Sequence, residues 1–380
     1  MIEDWQHGGF GLYVHWPFCE SLCPYCDFNS YVSNSVDHDA WATALVSEIE
    51  RNARDTVGRT LRSVYFGGGT PSLMAPSAIE AVLKTASDVW SFANDIEITL
   101  EANPSSVEAD KFRAFRHAGI NRVSLGVQAL NDPDLKALGR RHSVSEARVA
   151  LETAQSLFDR VSFDLIYARQ DQSLEDWEAE LTKALSFGTD HLSLYQLTIE
   201  QGTAFGDRFA KGALRGLPSE DLSADMFFLT QDLTAAHGRP AYETSNHAAP
   251  GEESQHNQIY WRNGDFVGVG PGAHGRVTIE GTRYATETHL HPNDWLDAVN
   301  KSGNGESERA PLNSEDEEAE MLLMGLRLYD GILISRLQNP ELLKKINYLV
   351  EINLIELHED KLRLTPSGRP LLNSILNQLV

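Results

Sequence analysis

The first two thirds of the chain alternate between short apolar runs and longer amphipathic segments. The runs are β-branched or aromatic and are bounded by turn residues, which is typical of strands. They lie at residues 11–15, 62–66, 96–100, 122–126, 161–165 and 191–195. Helices are expected between them, at residues 39–51, 76–87, 106–118, 143–157 and 174–186. Repeated strand–helix units build a parallel sheet with right-handed crossovers, so the pattern predicts an α/β fold curled into a barrel or part of one.

The last third of the chain is less regular. Residues 202–238 have a helical pattern, whereas residues 240–275 are rich in Gly, Asn, His and aromatic residues and are expected to form functional loops. A separate small unit is predicted from about residue 312. It has helices at 315–327 and 339–352, a hairpin at 354–364 and a final helix at 366–379. This order is typical of a small α+β, winged-helix-like domain.

The charge and the hydropathy of the chain exclude several classes of partner. A net charge of −23 repels nucleic acid and anionic lipid, so no nucleic acid partner is expected. We find no apolar run near the ~20 residues that span a bilayer, so no integral membrane segment is expected. The acidic start, Met1-Ile-Glu-Asp-Trp5, lacks the features of a signal peptide. The expected location is therefore the cytoplasm.

The three cysteines of the chain, Cys19, Cys23 and Cys26, lie within one stretch of eight residues. With no cysteine elsewhere, a disulfide framework is excluded. A [4Fe–4S] cubane takes one ligand per iron, so three thiolates from one loop can hold three irons and leave the fourth open to a chelator. The alternative is a Cys3His zinc site that uses His15 or His38. We favour the cluster, because zinc sites usually pair such a motif with a distant second half.

Polar residues follow several of the predicted strands. A glycine-rich turn, Gly67–Pro71, follows the second strand, and glycines let the backbone approach a ligand closely. Glu101, Gln128, Asp164 and the pair Tyr195-Gln196 lie at or near the ends of later strands. These ends converge on one face of a parallel barrel, where active sites lie. Glu101 or Asp164 could accept hydrogen bonds from ribose hydroxyls or an amine, and Arg140 could bind a carboxylate. For any single residue, a capping or loop role is a competitive alternative.

Taken together, the cysteine motif, the glycine turn and these polar residues resemble the radical S-adenosylmethionine superfamily. More narrowly, they resemble its oxygen-independent coproporphyrinogen III oxidase-like group, over nearly the whole chain. The resemblance implies a partial (β/α)6 TIM-like barrel and a [4Fe–4S] cluster whose open iron binds the methionine amine and carboxylate of S-adenosylmethionine. It implies that Tyr13 and Tyr25 flank the cluster and the cofactor. It also implies that the methionyl amine of the cofactor is contacted by Gly68, Gly69 and Thr70. The ribose, the carboxylate or a second cofactor molecule would be held by Glu101, Gln128, Arg140 and Asp164.

A second motif runs from His256 and Asn257 to Tyr260 and Trp261. An imidazole can ligate haem iron, and the two aromatic rings offer flat faces to a macrocycle. Asn257 could orient a propionate or the histidine. From the residues alone, a buried structural histidine is an equal alternative. The motif resembles the H-N-x-x-Y-W pattern of the haem chaperone branch of the same group, which favours haem contact by all four residues and makes His274 a second candidate ligand.

Two functions follow from the resemblance. The first is a haem chaperone, whose partners are haem, acceptor proteins and a second copy of the chain. The second is an oxidase that also needs an electron donor, although oxidases of the group carry a fourth cysteine where this chain has Phe28. A zinc-binding interaction module is a third, unrelated possibility. The expected domains are the barrel at 1–240, a haem- or substrate-associated loop region at 241–311, and the winged-helix-like domain at 312–380.

Overall fold

A curled sheet forms the body of the protein in the computed structural model, which describes residues 3–33, 35–105 and 111–380. Up to residue 311 the strands are β1 (Phe10–Trp16), β2 (Phe18–Cys19), β3 (Tyr31–Val32), β4 (Thr60–Gly68), β5 (Ser91–Ala102), β6 (Arg122–Gln128), β7 (Arg160–Tyr167), β8 (His191–Gln196), β9 (Asn246–Ala248), β10 (Asp265–Val269), β11 (His274–Ile279), β12 (Thr282–Thr288) and β13 (Glu306–Pro311). Eleven of the described strands form one sheet, in the order β13-β12-β11-β10-β1-β4-β5-β6-β7-β8-β9.

Helices cover the outer face of this sheet. They are α1 (His38–Asp55), α2 (Pro76–Val89), α3 (Phe112–Ala118), α4 (Asp132–Ala137), α5 (Val144–Leu157), α6 (Leu174–Leu185), α7 (Ala204–Ala210), α8 (Glu220–Ala236), α9 (Gln255–Trp261) and α10 (Pro292–Ser302). Several begin at a side-chain cap, as at Ser143, whose hydroxyl accepts from the Glu146 amide while the Glu146 carboxylate accepts from the Ser143 amide. The exception to the outer position is α9, which packs against residues on the inner face.

The predicted α/β fold is confirmed. The six predicted strands are β1, β4, β5, β6, β7 and β8, and they pair in parallel with their neighbours in that order. Along β4, Val64 and Phe66 belong to the apolar core under the helices, whereas Ser63 and Tyr65 face inward. Of the helix predicted at 106–118, residues 106–110 lie outside the described residues, and α3 accounts for the rest.

Three expectations differ from the structure. Residues 240–275, expected to form loops, contain β9, α9 and β10, and β10 pairs in parallel with β1. Glycine in this stretch allows the backbone segments to pack closely, because a Cβ on Gly268 would lie 2.0 Å from the His274 carbonyl oxygen. The helix expected over 202–238 is split into α7 and α8, because the stretch between them contains two glycines with positive φ, Gly212 and Gly216, and Pro218. The strands β11, β12 and β13 were not predicted.

The C-terminal part forms a small α+β unit with its own apolar core, as predicted. It consists of α11 (Ser314–Gly325), β14 (Ile332–Leu333), α12 (Pro340–Glu351), β15 (Ile355–His358), β16 (Lys361–Leu364) and α13 (Leu372–Leu379). It contacts the barrel through the Tyr329 amide, which donates to the Tyr242 carbonyl at 3.0 Å, and through the Arg276–Glu320 ion pair at 2.6 Å. Within the described residues, no helix is long and apolar enough to cross a membrane.

Candidate cluster and cofactor site

The three cysteines lie on the loop between β1 and α1, at one wall of a cavity of about 1060 Å³. The Cys19 sulfur accepts from the Thr70 hydroxyl, and the Cys23 sulfur accepts from an Arg140 guanidinium nitrogen, each at 3.4 Å. Burial raises the pKa of the Cys19 and Cys26 thiols. A bound cation would favour the thiolate forms, so this wall is suited to a metal centre.

The donor set fits a cubane better than a single ion. The two histidines of the zinc alternative are engaged elsewhere. His15 hydrogen-bonds to Tyr13 and to the Asn29 carbonyl, each at 2.9 Å, and His38 stacks on Trp16 with ring centroids 5.5 Å apart. A cubane with an open corner requires three thiolates that face one cavity and can each bind a different iron.

The glycine turn after β4 lies directly against the cysteine loop. The Gly69 amide donates to the Trp16 carbonyl at 2.7 Å, and a Cβ on Gly69 would lie 2.9 Å from the Phe18 carbonyl oxygen. Gly68 has a φ of +110°, and a Cβ there would lie 2.6 Å from the His15 ring. Both positions therefore require glycine for packing as well as for exposure of backbone to the cavity.

Polar side chains on the ends of β5, β6 and β7 form the opposite wall. Glu101 accepts a hydrogen bond from the Tyr65 hydroxyl at 2.7 Å, and Asp164 accepts one from Ser124 at 3.4 Å. Burial raises the pKa of Glu101 to about 7 and that of Asp164 to about 6. Two buried carboxyls of this kind can accept hydrogen bonds from a cationic or hydroxylated ligand, whose arrival would favour their charged forms.

Arg140 joins the two walls. Besides its contact with Cys23, it donates to the Asn103 side-chain oxygen at 2.6 Å and to the Gly126 carbonyl at 2.8 Å. Asn103 in turn donates to the Thr70 hydroxyl at 3.3 Å. Sequence analysis did not predict a role for Asn103, although this polar residue directly follows the end of β5 and lies two residues after Glu101. The Cys19 and Cys23 sulfurs are thus held in one hydrogen-bonded network with residues at the strand ends.

The structure brings nearly all of the residues predicted for the cluster and S-adenosylmethionine to this cavity. Its lining includes Cys19, Cys23, Cys26, Tyr25, Gly68, Gly69, Thr70, Glu101, Gln128, Arg140 and Asp164. Tyr13 is the exception. Its side chain is not part of the cavity lining, and its ring stacks on that of Tyr65 with centroids 6.4 Å apart.

The residues predicted to contact haem are placed differently. His256 is only 1% exposed, and its ring nitrogens are hydrogen-bonded to the Ser63 hydroxyl at 2.8 Å and the Tyr260 hydroxyl at 2.7 Å. Burial lowers the pKa of His256 to about 3. In this conformation neither nitrogen is free to ligate iron. The helix α9, which carries all four residues, fills the inner space beneath Tyr65.

The remaining members of the motif are also outside the cavity lining. Tyr260 packs edge-on against Phe266 at 4.4 Å, and Trp261 lies under the Arg327 guanidinium at 4.8 Å. The backbone amide of Asn257 donates to the hydroxyl of Ser254, the residue that caps α9, at 3.3 Å. The second candidate, His274, lies on β11 with its ring nitrogen 3.5 Å from the exposed Glu287 carboxylate. Haem contact by these residues stays a prediction.

The raised pKa of Glu101 gives a pH dependence with a definite sign. The folded state holds this proton to about pH 7, whereas the ordinary value is 4.5. The contribution of Glu101 to the free energy of unfolding therefore falls as pH rises through that interval. We therefore expect the free energy of unfolding of the wild type, minus that of Glu101→Gln, to fall as pH rises from about 4.5 to about 7. Urea unfolding of metal-free protein measures both values. His191, His247 and His256, whose pKa values are lowered, act in the opposite direction but are present in both proteins. A pH-independent difference would contradict this assignment.

Two stretches of the chain match models of known protein families. The sequence model described as the Radical SAM superfamily matches residues 13–184, and that of the HemN C-terminal domain matches residues 312–371. The chain is 40% identical to the mitochondrial radical S-adenosyl methionine domain-containing protein 1 of Bos taurus, over 97% of this chain and 87% of that protein. It is 36% identical to the heme chaperone HemW of Escherichia coli (strain K12), over 96% of both. The structure of E. coli coproporphyrinogen III oxidase (HemN) superposes with a TM-score of 0.81 at 23% identity, covering 98% of this chain and 90% of that one, which shows the shared fold.

Proposed function

Because the chain belongs to the radical SAM superfamily, and within it to the group that contains the HemW haem chaperones, we propose that it binds haem and transfers it to acceptor proteins. One observation carries the proposal. The similarity to proteins named as haem chaperones extends through nearly the whole chain, including the C-terminal domain, and is not confined to the cluster motif.

The chain carries a [4Fe–4S] cluster and binds S-adenosylmethionine, as members of its superfamily do. When bound, they supply one-electron chemistry at the sulfonium bond of S-adenosylmethionine. We propose that Cys19, Cys23 and Cys26 hold three irons. The backbone at Gly68 and Gly69 then meets the methionyl amine, and the network from Thr70 through Arg140 orients the sulfur ligands. This assignment is supported by the single cavity that these residues line.

The opposite wall would hold the rest of S-adenosylmethionine. Glu101 and Asp164 are buried acceptors suited to ribose hydroxyls or an amine, and Gln128 extends the same edge. Tyr25 closes one side of the cavity, with its ring packed toward Phe205 at 6.4 Å. Tyr13 would act indirectly, by supporting Tyr65, the hydrogen-bond donor to Glu101.

Haem binding is tested by titration of the anaerobically reconstituted protein. We expect a Soret band that saturates with added haem. If His256 ligates the iron, as the sequence predicts, His256→Ala weakens the band, and α9 must release its hydrogen bonds when haem binds. His274→Ala is the matched comparison, since that residue is the second candidate. An unchanged band in a folded His256→Ala protein would remove His256 from the site and leave haem binding in place.

The oxidase alternative is tested with the same preparation. We expect no protoporphyrinogen when reduced protein is incubated anaerobically with coproporphyrinogen III and S-adenosylmethionine. Formation of that product would contradict the chaperone proposal in favour of oxidative decarboxylation. An electron donor, a homodimer and a cytoplasmic location remain proposals from the sequence. Four of the similar proteins are named as mitochondrial, so the compartment requires its own measurement.

A further inference from the structure

Two arginines of the C-terminal part line the cavity that holds the cysteine motif. Arg327 follows α11, and Arg369 lies in the short turn Arg369–Leu371 before α13. Arg369 is 8% exposed, and its guanidinium lies 3.3 Å from the centroid of the Tyr329 ring. Arg327 lies over Trp261 at 4.8 Å. Both guanidinium groups are therefore held in place by aromatic faces.

Among the described residues, neither guanidinium group donates a hydrogen bond to a carboxylate. The nearest carboxylate, Glu243, lies 3.6 Å from the Arg327 Nε, without a hydrogen bond from that nitrogen. Arg369 has no ion-pair partner within 4 Å among the described residues. It donates to the carbonyls of Arg327 and Leu328, at 3.5 and 3.3 Å. Burial lowers the pKa of Arg369 to about 10. Burial of the Arg369 cation is costly unless a ligand supplies a negative charge, whereas the Arg327 side chain is 30% exposed and can also reach a ligand in the cavity.

The shape of the cavity suits a large ligand with an acidic edge. Its volume of about 1060 Å³ lies at the top of the ~300–1000 Å³ range of small-molecule sites, so there is room for more than S-adenosylmethionine. Apolar groups lie in the same wall as the arginines. Phe227 and Leu371 line it, and Leu371 is 44% exposed. An apolar macrocycle could pack there with its carboxylates toward the guanidinium groups.

We propose that Arg327 and Arg369 form a carboxylate subsite that binds the propionate side chains of haem at the C-terminal wall of the cavity. This inference rests on the proposed haem-binding function. A guanidinium binds a carboxylate through two parallel hydrogen bonds, and the aromatic supports keep its orientation fixed. The C-terminal domain thereby gains a role, which is to supply an anion-binding wall to the cavity that the cysteine loop also lines.

The first test uses the wild-type full chain and needs no substitution. Haem and haem dimethyl ester, whose carboxylates are blocked, are titrated in the same detergent-containing buffer and followed by the Soret band. We expect the ester to bind at least about 10-fold more weakly, because it cannot form charge-assisted hydrogen bonds. Equal affinity for haem and its ester would overturn the subsite while leaving haem binding intact.

The second test locates the effect. We expect Arg327→Gln and Arg369→Gln to weaken haem binding while changing ester binding little, so that the ratio of the two affinities approaches one. Lys344→Gln is the control, because Lys344 lies in the same domain, pairs with Glu341 at 2.6 Å, and is absent from the cavity lining. An undiminished ratio in both variants would overturn the assignment of these arginines. A wild-type protein that binds neither haem nor the ester would overturn the proposed function itself.

Discussion

Replacement of Cys19, Cys23 or Cys26 by serine is expected to reduce bound iron and inorganic sulfide by about 10-fold or more. The thiolate is a soft ligand that suits iron–sulfur clusters, and a serine hydroxyl stays protonated and binds iron poorly. Each sulfur is fixed by a loop that is itself tied to the barrel, as in the Thr70–Cys19 and Arg140–Cys23 contacts. The remaining two thiolates therefore cannot shift to replace the missing one. The measurement is elemental analysis with visible absorbance on oxygen-protected, reconstituted protein.

Ser21→Ala is the control for these variants. Ser21 lies in the same loop and lines the same cavity, but its hydroxyl is not a cluster ligand in our assignment. Full iron and sulfide content is expected in Ser21→Ala. If one of the cysteine variants retained the cluster, the assignment of that cysteine would be wrong. If a colourless wild-type protein contained zinc in place of iron, the cubane itself would be excluded.

Glu97→Gln is expected to destabilise the fold by about 3–5 kcal/mol, the usual cost of removing one partner of a buried ion pair. Glu97 is 2% exposed and lies 2.6 Å from the Arg160 guanidinium. Its carboxylate also accepts from the His256 amide at 3.1 Å and from the Ser254 hydroxyl at 3.2 Å, at the start of α9. Loss of the charge leaves the buried Arg122 guanidinium, 3.8 Å from Glu97, without an ion-pair partner among the described residues, and it weakens the N-terminal anchor of that helix. Urea unfolding of metal-free protein measures the effect.

Glu252→Gln provides a matched comparison. Glu252 pairs with the same Arg160 at 2.8 Å, but its side chain is 39% exposed. An exposed pair contributes only about 0–1 kcal/mol, so this variant is expected to unfold nearly as the wild type does. Equal and small effects of the two substitutions would show that the Glu97 network does not hold α9 in place.

Much of the fold follows from patterns that are local in the chain. Each of the six predicted strands carries its own apolar run, and the cysteine motif is complete within one loop. Polar residues such as Glu101 and Asp164 could be grouped in advance, since the ends of parallel strands must converge. The cavity lining contains both of them together with the three cysteines.

The strand β10 shows what local pattern could not reveal. It contains glycine, and it pairs with β1 across more than two hundred residues of chain. Neither its direction nor its neighbour is encoded within its own five residues. The same holds for α9, whose sequence matches a haem-contact motif but whose helix fills the inner space of the barrel.

The ligand chemistry and the strand–helix order can be read from local patterns, because the spacing of cysteines and apolar residues acts over a few positions. Which side chains are buried and which face the cavity depends on the folded chain. Folding enclosed His256 between Ser63 and Tyr260, and it brought Arg369 to the cavity that the cysteine loop lines. The physical reason is that burial and charge balance depend on partners that lie far away in the chain and meet only when it folds.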